Sequence, residues 1–358
     1  MEGLRYGSGE KSVRILVIGG TGFMGPHVLA RLTEMGHDVK VFHRGQTGAV
    51  SPDGVEHIRG DRGRLGDYSS DFSRFAPEVV LDMIPYNAQD AWSLINAFKG
   101  VARRAVAISS EDVYRAYGRI IRREPGPTEP VPLTEEAPLR GRLYPYRGEA
   151  PRDPGDPEHW LDDYEKILVE RLVMGEPSMR GTILRLPAVH GPGDKQHRLF
   201  PYLKRMDDGR PAILLDEGLA RWRWTRGYVE NVAAAIALAV VDERAAGRIY
   251  NIGEEGPLPE AEWVRRIGEA AGWDGEVIPL PGERLPPHLR EKYDRSQDLV
   301  VDTTRIREEL GYREPIPQRE ALRRTIAWER ANPPKEIDPS MFDYGAEDAA
   351  IAEPERGR

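Results

Sequence analysis

The stretch Val13-Arg14-Ile15-Leu16-Val17-Ile18-Gly19-Gly20-Thr21-Gly22-Phe23-Met24-Gly25 decides the fold. Residues 13–18 form a compact apolar run, the pattern of a buried strand. Residues 24–35 carry helical spacing and stop at Gly36, as a helix with a glycine C-cap would. Between them Gly19, Gly22 and Gly25 stand at G-x-x-G-x-x-G spacing. The first permits the tight turn, the second lets backbone approach a pyrophosphate, and the third lets helix and strand pack closely. The helix that follows aims its N–H groups and positive dipole end at the phosphates. A glycine pattern alone is also what a plain turn looks like. Its place between an apolar strand and an amphipathic helix selects the dinucleotide reading, with Thr21, Phe23 and Met24 as further loop contacts.

Outward from this unit, residues 38–42, 55–61, 78–84 and 105–109 read as strands, with a helix at 88–99. Alternating strands and helices imply an α/β fold with a Rossmann-type, doubly wound parallel sheet. Residues 122–158, rich in Pro, Gly, Arg and Glu, break the periodicity. An active-site lid and a surface excursion are equally compatible with such a segment. A helix at about 160–174 and a strand at 181–186 follow, then a loop (187–197), a helix (198–208) and a short strand (211–215). Helices at 229–241, 259–271 and 316–330 and a strand at 248–252 complete the periodic part. The expected division is a nucleotide-binding domain at 13–185, with an inserted loop at about 115–159. A smaller mixed α/β substrate lobe spans 186–330, with some segments returning to the first domain. A poorly packed tail covers 331–358.

At 358 residues the chain suits two domains. A formal net charge of −8 argues against a nucleic-acid or anionic-membrane partner. The absence of cysteine excludes disulfides, thiolate nucleophiles and Cys-ligated metals, and points to a cytoplasmic enzyme. No apolar run approaches the ~20 residues of a membrane span, and the first twelve residues lack the apolar core of a signal peptide. Histidines and acids show no metal-ligand spacing, so no metal is expected.

After the second strand, Phe42-His43-Arg44-Gly45 offers no acid until Asp53. An acid there selects NAD through the ribose 2′-hydroxyl, whereas arginine accommodates a 2′-phosphate. Arg44 therefore tilts the cofactor from NAD toward NADP; the other reading is an exposed turn arginine. Asp61 is placed either to bond the adenine amino group or to cap a turn.

The chain resembles the extended short-chain dehydrogenase/reductases, the nucleotide-sugar epimerase and dehydratase family. The resemblance runs from about residue 13 to 330. It rests on the glycine loop, Gly60-Asp61, Ser109-Ser110-Glu111-Asp112-Val113-Tyr114, and Lys166 with Glu170. It continues through Leu184-Arg185-Leu186-Pro187, His190-Gly191-Pro192-Gly193-Asp194, Gly227-Tyr228-Val229-Glu230-Asn231, Tyr250-Asn251-Ile252-Gly253 and Leu310-Gly311-Tyr312. It implies Ile84 and Pro187 as additional cofactor contacts, and helices that pair into a homodimer. It also implies a Ser that holds the substrate oxygen, a Tyr that moves the proton, and a Lys that bonds the nicotinamide ribose and lowers the Tyr pKa. Ser110 matches the Ser and Lys166 the Lys.

The residue four before Lys166, where the family carries its tyrosine, is Asp162. Tyr164, two before the lysine, falls about 200° away on a continuous helix. Four arrangements remain open. Asp162 serves as the base; Tyr144 or Tyr146 reaches in from the insertion; a helix irregularity brings Tyr164 round; or the site binds nucleotide without chemistry.

On the substrate side, residues 199–205 and 221–226 are rich in arginine and aromatics, which suits a diphosphate and a base. Arg226 and His190 are candidate substrate contacts, alongside Tyr144 and Tyr146. Alternatively, Trp222 and Trp224 alternate into the core of a strand, and His190 is a structural histidine. The favoured reading is an NAD(P)-dependent epimerase/dehydratase-type oxidoreductase of a nucleotide-sugar or similar hydroxylated substrate. The alternative is a non-catalytic nucleotide-binding regulator or nucleic-acid-associated protein on the same fold.

Overall fold

A computed structural model describes residues 12–46 and 52–352. The first half runs β1 (Arg14–Ile18), α1 (Gly25–Glu34), β2 (Asp38–His43), β3 (Glu56–Arg59), α2 (Ser69–Phe75), β4 (Val79–Asp82), α3 (Ala88–Phe98) and β5 (Arg104–Ser110). Short α4 (Arg115–Ile120) and a long irregular stretch lead to α5 (Lys166–Gly175) and β6 (Arg180–Leu186). There follow β7 (Ala188–His190), α6 (Phe200–Asp207), β8 (Ala212–Asp216), α7 (Glu217–Arg221), β9 (Arg226–Tyr228), α8 (Val229–Val241) and β10 (Ile249–Asn251). The chain then forms α9 (Glu260–Ala271), β11 (Glu276–Leu280), α10 (Thr304–Leu310), α11 (Gln318–Ala331) and α12 (Tyr344–Ala352).

Seven strands form one sheet in the order β10-β6-β5-β4-β1-β2-β3, every pair parallel. The chain leaves β1 toward β2 on one side and returns to β4 on the other. The crevice beyond the carboxyl ends of β1 and β4 is therefore the topological switch point, where such sheets bind ligands. Ile18 pairs with Phe42 on one side and Asp82 on the other, so the three strands end level there.

Alternation along each strand feeds two cores, since successive side chains point to opposite faces. Ile15 and Val17 meet α1 and the alanine-rich α8, through Val28, Leu29, Leu32, Ala233 and Ala237. Leu16 and Ile18 meet α2, α3 and α5, through Phe72, Leu94, Phe98, Val169 and Val173. A third core, with Leu203, Ile213, Trp263, Ile267, Val277 and Leu322, lies among α6, α9, α11 and the two-stranded β8–β11 sheet.

Three expectations need correction. The helix expected over 160–174 is two pieces, a 3-10 turn at His159–Asp162 and α5 from Lys166. Trp222 and Trp224 lie between α7 and β9 and not within a strand; Trp222 is buried and donates through Nε1 to Gln297 O at 2.7 Å, and Trp224 makes an isolated bridge to Leu299. As far as residue 352 the tail packs, the remainder of 331–358 lying outside the described residues: Glu347 of α12 is buried and accepts from Arg205 Nη2 at 2.6 Å. No periodicity foretold that last contact, because polar contacts of Glu347, Asp348 and Tyr344 rather than an apolar stripe seat most of the helix.

Candidate active site

The glycine loop occupies the switch point. Gly19 has φ +80°, and a Cβ there would come within 2.6 Å of Ile84, so Ile84 forms the floor under the turn. A Cβ on Gly25 would lie 2.2 Å from the Gly20 carbonyl oxygen, whereas one on Gly22 would meet nothing within 4 Å. The third glycine is therefore a packing requirement, and the second faces open space. The α1 N-cap residue, Met24, makes no side-chain cap hydrogen bond, and the first turn has no acid. Gly25 N donates to Gly22 O at 3.2 Å and Pro26 has no N–H, so this terminus offers an anion the N–H groups of Met24 and His27 and the helix dipole. Thr21 and Phe23 are half-buried beside it, and Gly193 approaches the Phe23 ring. These residues fit a dinucleotide pyrophosphate.

At the end of β2, Gly45 N donates to His43 Nδ1 at 3.1 Å, and His43 Nε2 lies 2.8 Å from His57 Nδ1. With Nδ1 accepting, Nε2 carries the proton and donates to His57. Burial, then His57 and Arg59, hold the His43 pKa below its ordinary value. Arg44 is exposed, and the Arg59 side chain passes beneath Gly45. Asp61 Oδ1 accepts from Gly63 N at 2.8 Å, so it caps a turn with one oxygen and leaves the other. Arg62, which the sequence reading did not single out, pairs with the fully buried Asp82 and with Asp90 at 2.6 Å. It fastens the loop after β3 to the end of β4. Nothing local marks this role, because both partners arrive from elsewhere in the chain.

Lys166 opens α5 and is buried. Its Nζ donates to the carbonyl oxygens of Pro85 (2.8 Å) and Ile108 (2.9 Å), bridging the ends of β4 and β5. An ammonium has three donors, so one remains for a ribose hydroxyl. Burial pushes its pKa down to about 8, against the opposing charges of Asp112 and Asp82. Ser110, at the end of β5, accepts from Asp112 N at 3.2 Å.

Glu165 sets where α5 begins. Its backbone is extended (φ −158°, ψ 95°), and its side chain accepts from Ile167 N at 2.9 Å, capping α5. It also pairs with buried Arg140 at 3.0 Å and accepts from Tyr144 N at 2.6 Å. Because the helix begins after this residue, the angular argument that put Tyr164 on the wrong face does not apply. The Tyr164 ring centroid is 5.6 Å from Lys166 Nζ and 5.2 Å from the ring of Tyr146, in surroundings where Ser110 and Asp112 act on its phenol. Burial, then the Asp112 charge, raises its pKa well above the ordinary phenol value.

Asp162 turns elsewhere. It accepts from Arg152 N at 2.7 Å and pairs with the Arg152 guanidinium, while its carbonyl accepts from Arg147 Nε at 2.8 Å. The Arg152 N–H holds its carboxyl below the usual range. It anchors the insertion rather than meeting Ser110. Of the two insertion tyrosines, Tyr146 enters the cluster: its Oη lies 3.0 Å from Asp112 Oδ2 and 3.1 Å from Tyr117 Oη. Tyr144 instead stacks under Arg147, whose guanidinium carbon is 3.9 Å from the ring centroid.

A polar network lies beneath. Ser109 Oγ donates to Glu170 at 2.6 Å, and Arg185 donates to Glu170 at 2.7 Å and to Tyr114 Oη at 2.9 Å. Tyr114 Oη donates to Asn251 at 2.7 Å. All five side chains are buried, so the motifs scattered along the sequence are one structure that fixes β5, α5, β6 and β10.

His190 and Arg226 line a neighbouring cavity of about 340 Å³ with Tyr202, Trp222, Trp224 and Trp263. Trp224 Nε1 donates to Glu111 at 2.5 Å, which joins the cavity wall to the residue after Ser110. His190 is buried, its pKa pushed down to about 3 by burial and then by Arg226, so its ring is neutral. Pro187 is buried against Gly227. Among the described residues no group of three or more acids, histidines or cysteines converges as a metal site would, and no helix is long and apolar enough to cross a membrane.

Fold and site together define a dinucleotide-dependent α/β oxidoreductase. The NAD dependent epimerase/dehydratase family matches residues 15–136 and 153–253, and the chain belongs to it. It is an NAD(P)-dependent enzyme. The 2′-dehydrokanamycin reductase of Streptomyces kanamyceticus is 28% identical over 303 residues, covering 83% of this chain and 76% of that protein. The UDP-glucose 4-epimerase of Streptomyces lividans is 26% identical over 336 residues, covering 84% and 91%. Among solved structures, UDP-glucose 4-epimerase of Thermotoga maritima with UDP-glucose superposes with a TM-score of 0.66. That pair is 20% identical and covers 89% of this chain and 99% of that one.

Proposed function

We propose that the protein is an NADP(H)-dependent oxidoreductase that interconverts a carbonyl and a hydroxyl on a carbohydrate-like substrate. The convergence of Tyr164, Ser110 and Lys166 carries this reading. A nicotinamide bound at the switch point supplies or accepts hydride. Tyr164 moves the proton at the substrate oxygen, Ser110 holds that oxygen, and the third Lys166 donor takes the nicotinamide ribose. Arg44, with Arg59 beside it, receives the 2′-phosphate, and Asp61 presents its free oxygen to the adenine.

The substrate lies against the aromatic cavity. Its lining arginines are each paired: Arg198 with Asp194 (2.8 Å), Arg226 with Glu260, and Arg295 with Glu291 (2.9 Å). Spent cations favour a neutral, hydroxyl-rich ring over the diphosphate of a nucleotide-sugar, because binding a diphosphate would first require breaking those pairs. The reductase named among the relatives supports the carbonyl-reducing direction. A panel of keto-sugars and keto-glycosides, with nucleotide-linked and free forms compared, tests the reading by consumption of reduced cofactor. Turnover of a free glycoside with NADPH is expected; turnover of nucleotide-linked forms alone would overturn the substrate assignment.

A further inference from the structure

Two histidines meet at the carboxyl end of β2, beside the glycine loop, and the proposed reaction does not use them. Gly19 N donates to Phe42 O at 3.0 Å, so the next residue, His43, stands at the edge of the dinucleotide crevice. An acid at this end of the second strand reads the ribose 2′-hydroxyl; here the side chain is an imidazole. His43 Nδ1 accepts from Gly45 N at 3.1 Å, and its Nε2 lies 2.8 Å from Nδ1 of His57 on β3. Were His57 the donor, both His43 nitrogens would accept and the ring would carry no proton at all. His43 Nε2–H therefore donates, and the His57 proton sits on its own Nε2. Both His43 nitrogens are occupied and the ring is neutral. A further proton enters at Nδ1 only if the Gly45 N–H turns away.

The surroundings suit an anion. Arg44 follows His43 in the chain, and the Arg59 side chain runs beneath Gly45, with Cδ and Nε 3.8 Å from where a Cβ would lie. Among the described residues no ion pair engages either arginine. His57 and Arg59 both oppose a charge on the His43 ring. By strand alternation His43 shares the face of Val39 and Val41, which α1 covers. That helix brings His27, which lies toward Glu230 and Pro192, and Arg31, which pairs with Glu34 at 3.5 Å. Lys40, on the other face of β2, pairs with Glu56 at 2.6 Å. The acids of both neighbouring elements are thus spent on other cations, and an incoming phosphate would supply the missing counter-charge.

We propose that His43 is the proton-binding half of the 2′-phosphate site, so that NADP is taken up together with a proton and NAD is not. The 2′-phosphate takes the Gly45 N–H, and the vacated His43 Nδ1 takes a proton from solvent. The imidazolium then faces the phosphate dianion while its Nε2–H stays on His57. NAD, whose 2′-hydroxyl brings no charge, leaves the Gly45 hydrogen bond and the neutral ring in place. The inference rests on the 2′-phosphate reading of Arg44. Discrimination in favour of NADP consequently grows as pH falls toward the second pKa of a phosphate monoester, about 6.

The test needs no substrate. Titration calorimetry of the full-length protein with NADP+ and with NAD+, at pH 7.5 in buffers of different ionisation enthalpy, counts the protons. NADP+ should take up on the order of half a proton more than NAD+, because an adjacent anion raises an imidazole pKa by about one to three pH units. The phosphate is already a dianion at that pH, and cations around it release protons rather than bind them, so the sign separates the two groups. Between pH 8.5 and 6.5 the ratio of the two Kd values should move about tenfold toward NADP+. His43→Asn, whose amide accepts from Gly45 N and donates to His57 without titrating, should abolish the extra uptake and flatten the ratio. Equal proton counts for the two cofactors, release with NADP+, or uptake that persists in His43→Asn overturns the proposal. The wild-type count alone decides the matter if the variant does not fold. NADP+ bound no tighter than NAD+ at any pH would remove the 2′-phosphate reading as well, whereas tighter binding without proton uptake removes this inference alone.

Discussion

The dinucleotide crevice and the proton-transfer cluster sit at the same edge of one sheet, yet they are built by opposite means. The crevice is made by backbone: thirteen consecutive residues turn a strand into a helix, and its specificity is a matter of where a Cβ fits. The cluster is assembled by side chains from β5, the insertion and the start of α5, held by Glu165, Arg140 and Asp112. Backbone rules are local, and they survive translation into a one-dimensional pattern. Side-chain assemblies depend on partners far apart in sequence, and they leave no comparable local pattern.

Exchanging the two candidate proton carriers breaks this comparison most severely. Tyr164→Phe should lower turnover by roughly 10²–10⁴-fold with NADPH affinity retained, whereas Asp162→Asn should change turnover by no more than a few-fold. Loss of activity in Asp162→Asn at full cofactor affinity would return the role to the aspartate.

Lys166 gives the next effect, through stability. Burial holds its folded pKa at about 8, below the ordinary lysine value of 10.5. Between those values the unfolded chain binds more proton than the native state, so stability rises with pH. Relative to Lys166→Met, the wild type should gain about 3 kcal/mol from pH 8 to beyond pH 10.5. Urea melts across that range would show a flat difference if the ammonium were not desolvated.

On the crevice side, Gly25→Ala drives a methyl into the Gly20 carbonyl and should cost about 1–3 kcal/mol of stability. Gly22→Ala should leave the melting temperature unchanged and weaken dinucleotide binding, which calorimetry separates. The smallest effect is at Arg44. Arg44→Ala should raise the Kd for NADPH roughly tenfold, the worth of one charge-assisted hydrogen bond. The Kd for NADH should not move; equal losses on both cofactors would count against a 2′-phosphate site.

Much of this was legible in the sequence, and for a stated reason. The Rossmann core follows from apolar periodicity and glycine spacing; 229–241, for example, was bounded correctly because an alanine-rich helix between turn residues reads the same alone or packed. Ser110, Lys166, Glu170 and Arg185 were visible as motif residues, although the union of Glu170 and Arg185 with Ser109, Tyr114 and Asn251 in one buried network was not. Tyr164 stayed one of four open arrangements, because bringing it round needed a break in the helix. Its real cause is a glutamate N-cap, a residue outside the usual Ser/Thr/Asp/Asn preference, stabilised by an arginine twenty-five positions away. Arg62 carried no signal and Asp112 stood only as a motif member, since each acquires its contacts from tertiary partners.

The central claim is that the missing tyrosine is present, two residues from the lysine rather than four. A crystal structure of the NADP+ complex tests it most directly. Tyr164 Oη and Ser110 Oγ should stand together on the reactive face of the nicotinamide, within ~3 Å of a bound substrate oxygen, with Lys166 Nζ on the ribose and Asp162 still paired with Arg152. A nicotinamide whose reactive face meets Asp162, or no phenol at all, would contradict it.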